Sequence, residues 1–529
     1  MKQLKEIIKE VKIKETVGDI NTSVEGITDN SRLVKPNFLF FAIKGITYDG
    51  HEFIDDAIEK GCKAVICSYL PGKIHEDLCY IVVENIRESV YSISSKYYND
   101  PAKKIKIIAV TGTNGKTSIV FFLYKFLNSL GIKVGMLSTI ENRIADKKIK
   151  SDLTTPSPVQ LHMLLDSMIK NSCEYCIMEA SSHSIHQKRI MGKDIFIGIF
   201  SNLSHDHLDY HKNMKNYLNS KLYLFNHLIK KRGNIVTDAT IPQISKIKNI
   251  AFRNNLKLNL IFDEKKGIKL ISHKFFNEKQ ILKIGFQKKK FDIKLNLIGK
   301  IQIKNILMAM FAAYKSGLKF DKIIKVIDKI KPVEGRLEKI GSLKNNSKVI
   351  LDYAHTPEAL ELALLNLKEQ FPARNINLVF GCGGNRDIKK RSIMGRIAEK
   401  YSKKIFLTDD NPRYENPSKI RKDIKKGIKI KKINEIPNRR KAIHQAIEDL
   451  DTGDLLLVAG KGHEKTQDYG VKKLFFSDKK VVLNSIKLKN KSLSNDLKLN
   501  IIKEQSRSKI NKNLKIIKIS INSKEIKKN

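Results

Sequence analysis

No stretch of this 529-residue chain approaches the ~18 consecutive apolar residues that a membrane-spanning helix needs, so no membrane insertion is expected. The opening MKQLKEIIKEVKIKE lacks the apolar core of a secretion signal, and no such leader is expected. Cysteine is scarce. Its six positions (62, 67, 79, 173, 176 and 382) are scattered, which suits a reducing, cytoplasmic setting rather than a disulfide framework. Cys173 and Cys176 form a CxxC, but no second pair or histidine pair stands at zinc-ligand spacing, so core packing is the reading adopted. Acidic residues are also short: 55 against 100 basic ones, a net charge of +45. That excess raises the possibility of nucleic acid as partner. Yet the basic clusters lack the interleaved aromatics that single-strand binders use. The lysines are dispersed among abundant isoleucine and asparagine, as a strongly AT-biased coding sequence would produce, and no specific nucleic-acid partner is expected. The charge favours anionic ligands and attracts RNA non-specifically at low salt.

What is present is a chain of several domains. A hydrophobic fraction of 41% is enough for real cores, and the length argues for two to four of them. Residues 1–101 hold short strand-like runs (FLFFAI, KAVICSY, CYIVV) and a helix-like FIDDAIEKGC, followed by YYNDPAKK, which reads as a linker. Over 102–333 strand-like and helix-like segments alternate, from IKIIAV to IQIKNILMAMFAAYKSG, and the same happens over 334–488, from KVILDYA to DLLLVAGKG. Such alternation predicts mainly parallel α/β sheets, the last of them Rossmann-like. Residues 489–529 are rich in Lys, Asn, Ser and Ile and read as a disordered tail.

In IIAVTGTNGKTS a glycine turn lies between a strand and a helix. Gly112 and Gly115 let backbone N–H groups approach phosphate oxygens, Lys116 brings charge to the outer phosphates, and Thr117 offers a hydroxyl to Mg2+. The helix N-terminus adds partial positive charge. A full Walker pattern has glycine where Val110 stands, so this is a shortened variant. Glu179 ends a strand in IMEASSHS and is a candidate Mg2+ ligand. His207, with Asp206 and Asp209 in SNLSHDHLDYH, follows another strand, and a packed or solvated histidine is an equal reading of it. FLTDDNPRYENP is a third strand end, and by itself it is either a surface connection or a charged cup for a molecule with both ammonium and carboxylate groups.

The ordered set TGTNGKT, MEASSHS, SNLSHDHLDYH, GRLE, LDYAHTPEAL, FGCGGNRD, DDNPR and VAGKGHE resembles the Mur ligase family over residues 20–488, and within it the MurE type, which adds the third residue of the peptidoglycan stem peptide. The resemblance implies a small N-terminal UDP-binding α/β domain, a central P-loop ATP-binding parallel-sheet domain and a C-terminal Rossmann-like domain that holds the amino acid. It implies an ATP-dependent ligase, acting in the cytoplasm as a monomer, that activates a carboxylate of UDP-MurNAc-L-Ala-D-Glu as an acyl phosphate and lets meso-2,6-diaminopimelate attack it.

Residue by residue, the resemblance makes Lys116, Glu179, His207 and Lys221 the catalytic group. ATP would be held by Gly112, Thr113, Asn114, Gly115, Lys116 and Thr117, by Asn305, and by Arg336 and Asp352, through which the third domain closes. Mg2+ would be held by Thr117, Glu179, His207 and a carbamylated Lys221. Ser31, Thr47, Thr154, Thr155, Ser181, Gln187 and Arg189 match positions that contact the nucleotide-sugar peptide. Arg386, Asp410, Asn411, Arg413, Gly460 and Glu464 match the diaminopimelate pocket, with Arg413 pairing the distal carboxylate. Relatives that add L-lysine usually lack that arginine. Asn385 stands where the family often has Asp, a change expected to be tolerated, and the tail has no counterpart. The alternatives are an L-lysine-adding ligase, a MurF-type or folylpolyglutamate enzyme with the same ATP machinery, or a P-loop ATPase working on nucleic acid.

Overall fold

The computed structural model describes residues 1–45, 48–263, 267–276, 278–429 and 433–495. They fall into two compact units, Met1–Val333 and a second that begins at Glu334.

The first unit starts with a five-stranded sheet. Gly26–Thr28, Phe38–Phe41, Ala64–Cys67 and Cys79–Val83 run parallel in that spatial order, and Ile13–Val17 closes the edge antiparallel. The residues of AVIC and CYIVV are buried on both faces, so these strands read as continuous apolar runs. The segment expected as a linker folds instead as the end of helix Ile86–Tyr97 and a one-turn helix, Pro101–Lys104. Asp100, in left-handed backbone (φ 51°), is caught by Ser95 Oγ at 2.8 Å and Lys96 Nζ at 3.1 Å. Ala102 and Ile105 then join Tyr91 in the apolar core beneath the next sheet. That shared core makes the N-terminal and central sections one unit.

The next sheet has eight strands. Its parallel set runs, in space, Val134–Leu137, Tyr175–Glu179, Lys106–Thr111, Ile195–Phe200, Ile229–Asp238 and Lys257–Ile261. An antiparallel hairpin, Glu141–Ile144 and Lys147–Lys150, extends the first edge. Strand order reverses about Lys106–Thr111, so the loops leaving its two neighbours diverge around the glycine turn; α/β sheets hold ligands in such crevices. Helix Lys116–Ser129 buries Ile119, Val120, Phe122, Leu123, Phe126 and Leu127 and packs against helix Ile301–Lys315. Between them in sequence lies a three-stranded antiparallel sheet, Lys269–Phe276, Lys279–Phe286 and Lys289–Leu295, which the reading by alternation of strands and helices did not anticipate. Leu282, Ile284, Phe286, Ile293 and Leu295 face the core, while Lys283, Asp292 and Lys294 alternate with them on the outer side.

The second unit is built on six strands. Lys348–Asp352, Leu455–Ala459, Ile376–Phe380, Lys404–Leu407 and Ile433–Glu435 are parallel in that spatial order, with Glu338–Ser342 antiparallel at the edge. This is the expected Rossmann-like sheet, and its order reverses between Ile376–Phe380 and Leu455–Ala459. A final helix spans residues 478–495 and runs past 488, where the tail was expected to start; the rest of that segment lies outside the described residues.

Leu456 is fully buried against Ala442, Ile443 and Ile447. Leu456→Ala is expected to remove about 3 kcal/mol, the usual result of a cavity that cannot collapse. A lowered midpoint for the second unit's transition in urea checks it.

Candidate active site

The strand Lys106–Thr111 delivers the turn at 112–115. Gly112 (φ 143°) and Gly115 (φ 88°) both have positive φ. A side chain at Gly112 would collide with Ser201 Oγ, and one at Gly115 with Asn305 Oδ1. Asn305, buried on helix Ile301–Lys315, therefore lies directly against the loop. The loop is pinned from residues 201–204: Ser201 Oγ and Asn202 Nδ2 donate to the Asn114 carbonyl (2.6 and 3.0 Å), Asn114 N donates to Asn202 Oδ1 (2.9 Å), and Ser204 N donates to Thr113 Oγ1 (2.9 Å). Lys116 Nζ folds back onto the carbonyls of Gly112 (3.0 Å) and Thr113 (2.9 Å). Thr117 is buried in the first helical turn.

A second amine reaches the same carbonyl. Lys221, buried on helix Met214–Tyr223, donates to Gly112 O at 2.8 Å, with its Nζ 4.4 Å from the Tyr217 ring centre. Burial, and then the nearby charge of Lys116, hold this amine well below the ordinary lysine range.

Glu179 ends its strand nearly inaccessible, with Oε1 accepting from Thr139 N at 2.8 Å. Its carbonyl accepts from Thr155 Oγ1 (2.8 Å), which also accepts from Ser181 N (3.1 Å), while Thr139 Oγ1 contacts Thr154 Oγ1 at 3.1 Å. Arg189 donates to Thr155 O (3.2 Å) and, through Nε and Nη2, to Gln187 Oε1 (3.0 and 2.6 Å). The structure thus joins Thr154, Thr155, Ser181, Gln187 and Arg189 in one network running from Glu179. Asp29 reaches this network too, accepting from the Ser157 side chain and facing Arg189, with burial raising its carboxyl above the usual range against both. Asp29 was missed in the sequence although it lies two residues before Ser31. Ser31 sits two residues on, its carbonyl held by Lys60 Nζ at 3.0 Å, and Thr47 lies outside the described residues.

His207 has left-handed backbone (φ 53°) and a part-exposed side chain 3.4 Å from Asp206. Its ring stands edge-on to His183 at 4.8 Å and to Tyr217 at 6.1 Å, and Tyr217 OH is 3.2 Å from Thr113 Oγ1. His207 is therefore one aromatic ring away from the loop. Burial, and then the charge of His207, push His183 down to about 4. Cys173 and Cys176 are buried in the apolar core, where burial pushes both thiols up, in keeping with the packing reading.

In the second unit the loops from four parallel strands meet. Asp409 and Asp410 have different partners. Arg421 takes Asp409 in an ion pair, whereas Asp410 Oδ2 has no hydrogen-bond partner among the described residues. Asn411 Nδ2 donates to Glu464 Oε2 at 2.9 Å, and Lys461 Nζ, fully buried, bridges Asn411 Oδ1 and Glu464 Oε2, both at 2.8 Å. Lys461 was not singled out, although it lies inside the quoted AGKGHE. Arg413 has left-handed backbone (φ 54°), fixed by its N–H on Asp468 O (2.9 Å), and its Nη1 donates to Gly384 O at 2.8 Å. Such strain in a non-glycine residue costs of order 1–3 kcal/mol and tends to persist where function uses it. Buried Arg391 fastens the turn through a bidentate pair with Glu415 (2.6 and 2.7 Å). Asn385 is also left-handed (φ 51°), and its Oδ1 accepts from Tyr414 N at 3.1 Å. An Asp supplies the same oxygen and tolerates the same backbone, so the departure at 385 keeps the geometry. Arg386 is exposed at the rim. Gly460 packs on Asp410, and its N–H donates to Asp352 O at 3.1 Å. Arg336 lies over the Tyr353 ring at 4.4 Å, and Asp352 accepts from Leu337 N and Ala354 N (2.7 and 2.8 Å).

Comparison with known proteins agrees with this geometry. The family models for the Mur ligase catalytic domain, the Mur ligase middle domain and the Mur ligase glutamate ligase domain match residues 23–108, 110–313 and 335–462. Two curated relatives named UDP-N-acetylmuramoyl-L-alanyl-D-glutamate–2,6-diaminopimelate ligase are similar over nearly their whole length. That of Clostridium acetobutylicum (ligase 1) is 38% identical over 489 residues, 92% of this chain and 99% of the relative. That of Phocaeicola vulgatus is 37% identical over 489 residues, 91% and 98%. The chain belongs to the Mur ligase family. A solved structure of the same name superimposes with a TM-score of 0.64 at 28% identity, covering 92% of this chain and 99% of the other. Like other Mur ligases, this one is an ATP-dependent amide-bond-forming enzyme.

Because any side chain at Gly115 meets both positive φ and Asn305, Gly115→Ala is expected to weaken ADP binding at least ~10-fold, about 1.4 kcal/mol. Calorimetric titration with ADP checks it, alongside a melting curve to show that the fold is retained.

Proposed function

We propose that this Mur ligase joins a carboxylate of the D-glutamate in UDP-MurNAc-L-Ala-D-Glu to an amino group of meso-2,6-diaminopimelate, using ATP, in cytoplasmic peptidoglycan precursor synthesis. The observation that carries the choice of amine is Arg413: a guanidinium held by strained backbone at a turn that also presents Asp410, Asn411 and Glu464. Diaminopimelate has one amino-acid head that reacts and one that is only recognised. A planar arginine suits the distal carboxylate, and acidic groups suit the ammonium.

The carboxylate oxygen attacks the γ-phosphorus of ATP and ADP leaves. The amine then attacks the resulting acyl phosphate, phosphate departs, and the nitrogen loses a proton. Bringing two anions together demands positive charge, which Lys116 and the glycine turn would supply. Mg2+ would neutralise the phosphates when bound. The donor set suits it: a threonine hydroxyl, a single carboxylate and an imidazole leave most of the coordination to water and phosphate, as Mg2+ prefers, and among the described residues no group of three or more His, Cys, Asp or Glu could hold a metal by itself. Thr117, Glu179 and His207 would supply the protein's share.

Lys221 fits that set only when modified. As an ammonium it would be a buried cation beside Lys116. Burial instead favours the free amine, the form that adds to CO2, and the carbamate formed is an anionic oxygen ligand. The nucleotide-sugar peptide is assigned to the Thr154–Thr155–Ser181–Gln187–Arg189 network, and the enzyme is taken to act as a monomer. Among the described residues no helix is long and apolar enough to cross a membrane.

Amino-acid-dependent release of ADP in the presence of UDP-MurNAc-L-Ala-D-Glu tests the reaction. Turnover is expected with meso-diaminopimelate and not with L-lysine. Arg413→Ala is expected to lower kcat/KM for diaminopimelate ~100-fold, from loss of about 3 kcal/mol, with the KM for ATP little changed. A preference for lysine would overturn the reading of the turn, and hydrolysis stimulated only by RNA would overturn the reaction itself. For Lys221, 13C-bicarbonate is expected to give a protein-bound carbamate resonance that Lys221→Ala abolishes, with activity falling at least ~100-fold. An unlabelled, fully active wild-type enzyme would rule the modification out.

A further inference from the structure

Beneath the turn that carries Asp410 lies a charge pair for which the proposed function assigns no role. Arg439 opens helix Arg439–Glu448, and Asp478 opens the helix at 478–495. Their side chains are wholly inaccessible and pair bidentately, Nε to Oδ1 at 2.8 Å and Nη2 to Oδ2 at 2.7 Å. Arg439 Nη2 also donates to the carbonyl of Ala459 (2.9 Å), the last residue before Gly460. One guanidinium nitrogen remains. Nη1 is buried with no hydrogen-bond partner among the described residues, and it lies 3.9 Å from Asp410 Oδ2, itself buried and likewise without one among them. On its other side Asp410 Oδ2 abuts Gly460, where a Cβ would press on it.

The arrangement sets a geometry and a charge together. An arginine alone next to Asp410 would close to a full hydrogen bond and neutralise it. Asp478 prevents this by taking the arginine's charge in the stronger, two-point contact. The three groups together carry one net negative charge. Asp410 is thus held in place from below while its own charge stays available to a cation from above. A pair serving only to staple the last helix would have no need to direct a nitrogen at Asp410.

We propose that Arg439 and Asp478 are positioning residues for amino-acid recognition, with Arg439 fixing the Asp410 carboxylate and Asp478 keeping it negative for the substrate's ammonium. This rests on the assignment of Asp410 to the diaminopimelate pocket, and the test separates the two.

Steady-state KM values for meso-diaminopimelate and for ATP are measured on the full-length enzyme and its variants, with melting curves alongside. Asp478→Asn releases Arg439 to neutralise Asp410 and is expected to raise the KM for diaminopimelate at least ~10-fold, leaving that for ATP within ~2-fold. The double variant Arg439→Gln/Asp478→Asn restores the single negative charge but not the contact that fixes Asp410, and is expected to regain at least ~3-fold of the loss while its KM stays above the wild-type value. A helix staple predicts the opposite order, the double variant being no better than the single one. An unchanged KM for diaminopimelate in folded Asp478→Asn, or KM values for both substrates rising together, would overturn the proposal. Should Asp478→Asn not fold, the double variant, which strands no buried charge, is read alone, and a wild-type KM for diaminopimelate would overturn the proposal equally. Asp410→Asn is the control for the pocket. If it leaves that KM unchanged, the pocket assignment falls and this proposal with it; if it raises the KM while Asp478→Asn does not, only this proposal falls.

Discussion

A charge removed from water must be matched, and in this protein the way each buried cation is matched determines what its surroundings can do. Arg391, Arg439, Lys461 and Lys221 are all essentially inaccessible. Arg391 meets Glu415 and Asp423, Arg439 meets Asp478, and Lys461 meets Glu464. These pairs do little for net stability, since desolvation offsets most of the attraction, but breaking one is costly, so they hold their loops in one geometry. Lys221 has a carbonyl and an aromatic face instead of a carboxylate. An ammonium so placed is poorly compensated, and the group is driven towards a neutral amine. The same rule that lets three cations keep their charge in the interior weakens the fourth's hold on its proton.

The two sheets put these groups to use in the same way. In each, parallel strands reverse their order beside a central strand, and the loops from neighbouring strands part there. In the first unit the parting exposes a glycine turn between Glu179 and the loop at 201–207. In the second it brings together four loops, after Asp352, Phe380, Leu407 and Ala459. Glycines at 112, 115 and 460 stand where backbone must come within contact distance of Ser201, Asn305 and Asp410. The close fit also explains why polar residues distant in sequence, such as Asn202 and Asn114, are joined by two hydrogen bonds rather than one.

Much of this was legible in the sequence because the signals are local. A strand, a glycine turn and a helix in immediate succession identify the phosphate loop, and alternating segments predicted both parallel sheets. Other features are not local. Arg439 and Asp478 are 39 residues apart, and nothing near either distinguishes it from the many other charged residues of this chain. Lys461 lies inside a segment that was singled out and Asp29 two residues from Ser31, yet composition alone does not tell which residue of such a segment is turned inward. The linker expected at 97–104 failed because Asn, Asp and Pro mark a turn equally well in a packed corner, where Ala102 fills a core, as in an exposed connection. The antiparallel sheet at 269–295 escaped notice because its lysines mask a two-residue alternation.

That alternation bears on how much sequence change such a sheet can absorb. A strand with one face in the core needs an apolar, preferably β-branched residue at every second position and only a soluble one between. Isoleucine inward and lysine outward meet both needs, as at Ile284 and Lys283 or Ile293 and Lys294. A substitution bias towards these two residues would therefore be nearly neutral for such a sheet. The loops at the strand ends have no such latitude, because each side chain there is specified by a partner. A chain under this pressure is expected to be rewritten along its strands and helices while its strand ends stay as they are, so its surface records the history of its genome and its loops record its chemistry.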